Sequence, residues 1–126
     1  MKRKIVTSML MTVLISLTGC IGNRSDDRFC GSRIGNESSL IMEYSDMNIT
    51  DCQALKLEAG DILEFCIESK KGQVDITLQM EDENPVYEEC NVSTSSFHID
   101  IEESGVYQII VTGRDAKGSV SVKKAD

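Results

Sequence analysis

From Ser38 onward, apolar and polar residues alternate in short runs. Leu40, Met42 and Tyr44 form one run, Leu55 and Leu57 a second, and Leu63, Phe65 and Ile67 a third. Val74, Ile76, Leu78 and Met80 alternate with Asp75, Thr77, Gln79 and Glu81, and Phe97, Ile99 and Ile101 with His98, Asp100 and Glu102. Tyr107, Ile109 and Val111, then Val120 and Val122, end the series. A period of two puts successive side chains on opposite faces of a strand, so each run predicts a strand with one apolar face. Turn signals separate the runs at Ala59-Gly60-Asp61, Lys70-Lys71-Gly72, Asp82-Glu83-Asn84-Pro85, Ser104-Gly105 and Ala116-Lys117-Gly118.

No segment carries a stripe at the helical period. Seven to eight short strands without intervening helices predict an all-β domain of two antiparallel sheets packed face to face, a sandwich in the jelly-roll or immunoglobulin-like range. An open barrel is the alternative. Residues 22–36 show neither period and are rich in Asn, Ser, Asp and Gly, so they predict a tether.

The first residues read differently. Lys2, Arg3 and Lys4 precede Ile5 to Leu17, a run broken only by Thr7, Ser8, Thr12 and Ser16. These are the charged and apolar regions of an export signal. Thirteen helical residues reach about 20 Å, short of the roughly 30 Å hydrocarbon core that a permanent span must cross. Leu17-Thr18-Gly19-Cys20 resembles the lipobox of bacterial lipoproteins. The resemblance implies diacylglyceryl transfer to the Cys20 thiol, cleavage between Gly19 and Cys20, and a mature chain held at the membrane by acyl chains, facing away from the cytoplasm. The expected organisation is a signal peptide over residues 1–19, a lipidated Cys20 with a flexible tether over 20–37, and the sandwich over 38–126.

Two patches in the sandwich carry a second resemblance. The stretch from Leu55 to Phe65, with Leu55-Lys56-Leu57 leading into Gly60-Asp61, and the stretch from Glu103 to Gly113, followed by Ala116 to Val122, are similar to small secreted bacterial sandwich domains, including pre-peptidase C-terminal domains. They are also similar to short bacterial lipoproteins with one sandwich after the lipobox. The likeness spans roughly residues 38–124 and implies a fold, not an activity. Within it, Gly105 permits a tight corner, and Tyr107 is expected to bury its ring while its hydroxyl returns to a backbone group, as in a tyrosine corner.

Length and charge narrow the partners. The chain has 126 residues, room for one compact domain. Its 13 basic and 21 acidic residues give a net charge of -8, and removal of residues 1–19 leaves 10 against 21, net -11. Such a surface repels nucleic acid and anionic lipid head groups. The expected partners are the membrane, through the lipid on Cys20, and an envelope protein or polysaccharide.

Candidate chemistry is sparse. His98, the one histidine, is expected on an outer face near Asp100, and no nucleophile motif accompanies it. Glu81-Asp82-Glu83, Glu88-Glu89 and Asp100 with Glu102-Glu103 could supply oxygen ligands to calcium, but their spacing does not match a calcium-binding loop, and solvated turns explain them more simply.

With Cys20 assigned to lipid, Cys30, Cys52, Cys66 and Cys90 remain, an even number in an exported domain. Alternation sets Cys66 outward beside Glu64 and Glu68, and a similar count over residues 86–92 sets Cys90 outward beside Glu88. The favoured pairing is therefore Cys66 with Cys90 and Cys30 with Cys52. The expectation is a binding or structural module without catalytic residues, metal or cofactor. A small accessory of envelope-polymer hydrolysis and a calcium-dependent adhesion module are the alternatives.

Overall fold

Seven antiparallel strands run through residues 27–125, the part of the chain that the computed structural model describes. They are β1 (Arg28–Asn36), β2 (Ser39–Asn48), β3 (Thr50–Leu57), β4 (Ile62–Met80), β5 (Pro85–Glu89), β6 (Ser95–Asp100) and β7 (Gly105–Lys124). The signal segment and Cys20 lie outside the described residues.

β4 and β7 are long, pair with each other from Leu63–Lys124 to Met80–Tyr107, and bend midway. Beyond the bend their neighbours change. The first half of β4 and the second half of β7 join β1, β2 and β6 in one sheet, with Leu40 opposite Val122 and Leu63 opposite Ile99. The second half of β4 and the first half of β7 join β3 and β5 in the other, with Leu55 opposite Tyr107 and Leu78 opposite Tyr87. The chain is an all-β antiparallel sandwich whose two sheets share their central pair of strands.

The alternation read from the sequence is the alternation of burial. Leu40, Met42, Leu63, Phe65, Ile67, Val120 and Val122 line one inner face, and Leu55, Val74, Ile76, Leu78, Tyr107, Ile109 and Val111 the other, in a single core. The burial of some twenty apolar side chains, each worth about 1.5–3 kcal/mol on removal from water, drives this packing.

Two expected turns are corrected. Lys70-Lys71-Gly72 and Ala116-Lys117-Gly118 do not end strands; they form the bend at which β4 and β7 cross from one sheet to the other. The pairing shifts between Ser69 and Lys71 and again between Lys71 and Gln73. The inward set accordingly changes from odd to even numbers along β4, and from odd to even along β7. An irregular residue in a ladder both turns the strand and resets its faces. Gly72 has φ +74° and Asp115 φ +50°, so both strands use left-handed backbone at this corner. A Cβ on Gly72 would overlap the Asp115 carbonyl oxygen.

The expected tether is corrected over residues 28–36, while its residues 20–26 lie outside the described residues. Arg28–Asn36 is an edge strand on β2, from Arg28 opposite Asn48 to Asn36 opposite Ser39. It shows no alternation because nearly all of it is exposed. Its place in the sheet comes from backbone pairing, which leaves no hydrophobic period in the sequence.

Candidate functional site

The two sides of the sandwich are closed by different means. On one side β1 and β3 are tied by polar bonds. Arg33 Nε donates to Asp51 Oδ2 at 2.7 Å, Arg33 Nη2 to the Cys52 carbonyl at 3.0 Å, and Gln53 Nε2 to the Asn36 carbonyl at 3.1 Å. On the other side β5 and β6 each pair with β4 alone. No described strand lies on their outer edges. Aromatic rings pack along this side: Phe65 stacks on Phe97 with centroids 4.8 Å apart, and Tyr87 meets Phe97 at 5.2 Å.

Past the rings the open side widens into a cleft of about 470 Å³. Met80, Val86, Ile99 and Ile101 form its apolar wall with Tyr107 behind them, and Glu83, Asn84, Asp100, Glu102 and Glu103 its polar rim. Three connections build it: the turn from β4 to β5, the end of β6, and the approach to β7. The ring of Tyr107 is buried, and its hydroxyl donates to the Glu103 carbonyl at 2.6 Å, which pins the last rim segment to the core. This is the expected tyrosine corner.

The rim is strongly negative. Burial, then the charges of Glu103, Glu102 and Glu83, push the Tyr107 hydroxyl above its ordinary pKa. Next to the rim, Glu81 is buried, and its Oε2 has no hydrogen-bond partner among the described residues. Burial and the neighbouring charge of Asp82 push that carboxyl up. Among the described residues no ion pair reaches Glu83, Asp100, Glu102 or Glu103. The guanidinium groups of the described residues are engaged elsewhere: Arg28 with Asp46 and Asp115, Arg33 with Asp51, and Arg114 with Asp75.

A second hollow of about 380 Å³ lies on the outer surface at the corner. Glu43 and Glu68 stand there with Lys70 and Lys117, so its charges balance and it has little apolar wall.

The acidic groups singled out in the sequence thus divide. Glu83 and the Asp100 to Glu103 segment come together on one rim, whereas Glu89 lies apart, accepting a hydrogen bond from Tyr87 at 2.7 Å. No group of three or more His, Cys, Asp or Glu among the described residues is arranged to hold a metal ion. His98 is exposed, opposite Glu64 of β4, and lines no part of the cleft.

The expected disulfides are corrected. Cys30, Cys66 and Cys90 are exposed free thiols, so neither Cys66–Cys90 nor Cys30–Cys52 is formed. A bridge needs Cα atoms within about 7 Å. Cys66 faces Ser96 across β4 and β6, and its sulfur accepts a hydrogen bond from Ser96 Oγ at 3.5 Å. Cys90 follows Glu89, which is opposite Ile76, beyond the bend of β4 and in the other sheet. Cys30 is opposite Asp46 in the first sheet, and Cys52 opposite Ile110 in the second. Alternation finds outward positions correctly, but not which sheet a strand joins after a bend.

Sequence reading did not single out the cleft. Met80, Ile99 and Ile101 belong to the ordinary alternation of their strands, and the only signal in the sequence is the density of carboxylates just before Asn84 and Gly105.

No family model and no curated protein matches the chain. Its fold resembles several solved structures. A CBM4 structure has 13% identity and a TM-score of 0.42, over 85% of this chain and 81% of the other. TmCBM61 in complex with β-1,4-galactotriose has 18% identity and a TM-score of 0.38, over 74% and 66%. The glycosylation-associated Gap123 complex of Streptococcus agalactiae has 13% identity and a TM-score of 0.41, over 83% of this chain and 44% of that one.

Proposed function

We propose that this chain is a non-catalytic binding module, carried outside the cytoplasm on a lipid attached to Cys20, whose ligand seats in the cleft between β5 and β6. One observation carries the reading: one side of the sandwich is sealed by Arg33 and Gln53, while the other is left as a concave, apolar-walled cleft flanked by two unpaired sheet edges. Ligands collect in concave sites with apolar walls and a few placed polar groups, and about 470 Å³ falls within their usual size. The anchor is supported by Lys2, Arg3 and Lys4, the apolar run that follows, and Leu17-Thr18-Gly19-Cys20. Two acyl chains give stable attachment where one is marginal. Against the hydrolase alternative stands the position of His98, away from the cleft.

A small neutral probe tests the site without presuming the ligand. In a ¹H–¹⁵N titration with cyclohexanol, the amides of Met80, Val86, Ile99 and Ile101 should shift together and saturate, with the outer-face residues unmoved. Shifts spread evenly over the domain, or none at these positions, would overturn the reading.

A further inference from the structure

We infer that the cleft takes an extended peptide segment in which lysine or arginine alternates with an apolar side chain. This rests on the cleft being the ligand site, and it adds the ligand's chemistry. The walls require apolar groups: Val86 is 55% exposed at the mouth and gains most from being covered. The rim requires a cation. Its four carboxylates have no ion-pair partner among the described residues, on a chain that carries net -8, so an incoming positive charge relieves repulsion that the fold leaves in place.

The peptide character follows from the edges. β5 and β6 each present one side of their backbone to no described strand, and an extended segment adds to such an edge through main-chain hydrogen bonds while alternate side chains enter the pocket. That alternation puts apolar groups on the wall and cationic ones at the rim. A neutral sugar chain is served less well. The aromatic faces that would stack on it are turned against one another, with Phe65 1% exposed and Phe97 stacked upon it.

The test uses protein as the expressing host processes it, in dodecyl maltoside, and three fluorescent hexapeptides: alternating lysine and valine, alternating glutamate and valine, and alternating lysine and serine. By fluorescence polarisation the lysine–valine peptide should bind at least tenfold more tightly than either other, and more weakly at 300 mM than at 50 mM salt. Glu102→Gln with Glu103→Gln should weaken it about tenfold at an unchanged melting temperature, since the Tyr107 bond uses the Glu103 backbone. Val86→Ser should weaken it independently of salt.

Equal binding of the glutamate–valine peptide would overturn the cationic requirement, and full competition by spermine at equal concentration would overturn the peptide requirement. Either result, with cyclohexanol still shifting the wall, would leave the cleft standing as the site. Failure of all three peptides and of cyclohexanol would remove both.

Discussion

The hydroxyl of Tyr107 reaches back four residues to the carbonyl of Glu103, at 2.6 Å, and joins the acidic rim to the core. The ring is 2% exposed and the whole side chain stands opposite Leu55 and Met80. Tyr107→Ala should therefore cost about 3–5 kcal/mol, as large aromatic truncations in cores do, while His98→Ala on the exposed face should stay within about 0.5. Tyr107→Phe separates the bond from the ring, with an expected loss of about 1 kcal/mol. Urea unfolding of the three variants measures this; equal midpoints for Tyr107→Ala and His98→Ala would show that the corner does not hold the fold.

Glu81 supplies a pH dependence. Its carboxyl is buried without a full set of partners, so its pKa in the folded chain lies above that in the unfolded chain. A raised carboxyl favours the protonated native state. Its contribution is fully present below the unfolded value and is lost as pH rises through the folded one. Each tenfold gain in proton affinity amounts to about 1.4 kcal/mol. Glu81→Gln should thus gain stability over wild type between pH 4 and pH 7, and a difference between the two that does not grow over that range rejects the assignment.

The corner makes a prediction about backbone. Gly72 has φ +74° beside the Asp115 carbonyl, and Gly118 has φ +150° where a Cβ would overlap the Glu68 carbonyl oxygen. Gly72→Ala should destabilise by about 1–3 kcal/mol, the range for a strained backbone position. Gly60, with φ +98° and open space around it, has the strain without the collision. Gly60→Ala should cost less than Gly72→Ala in the same denaturation series, and the reverse order would mean that the corner yields freely.

Thiol chemistry checks the cysteines. Cys30, Cys66 and Cys90 are exposed and unbridged, so native protein should take up iodoacetamide at all three without denaturant. Peptide mapping that returns a Cys66–Cys90 cross-link, or protection of Cys66 until unfolding, contradicts the structure.

The anchor is tested in cells. Cys20→Ala should abolish incorporation of labelled palmitate and leave residues 1–19 attached, because the thiol is the lipid acceptor. Wild-type labelling of this variant would remove lipid anchoring from the proposal while leaving the cleft untouched.

Features that depend on neighbours along the chain were legible before any fold was known. Alternation named the inward side of β2, β4 and β7 correctly at Leu40, Phe65 and Ile109, because the pleat ties side-chain direction to residue parity. The Tyr107 corner was legible for the same reason, its bond closing over four residues. The remaining features arise from contacts between segments distant in the chain. Lys71-Gly72 and Lys117-Gly118 carry turn residues, yet the chain bends there without reversing, because each strand keeps its partner through the irregularity. β1 left no hydrophobic period, since an exposed edge is held by backbone bonds to β2 and by polar side-chain bonds such as Arg33 to Asp51, neither of which needs alternating apolar residues. The separation of Cys66 from Cys90 followed from that bend. The cleft followed too: Glu83 and Asp100 meet only because β5 and β6 flank opposite halves of one bent strand, a relation between sheets that no local period can express.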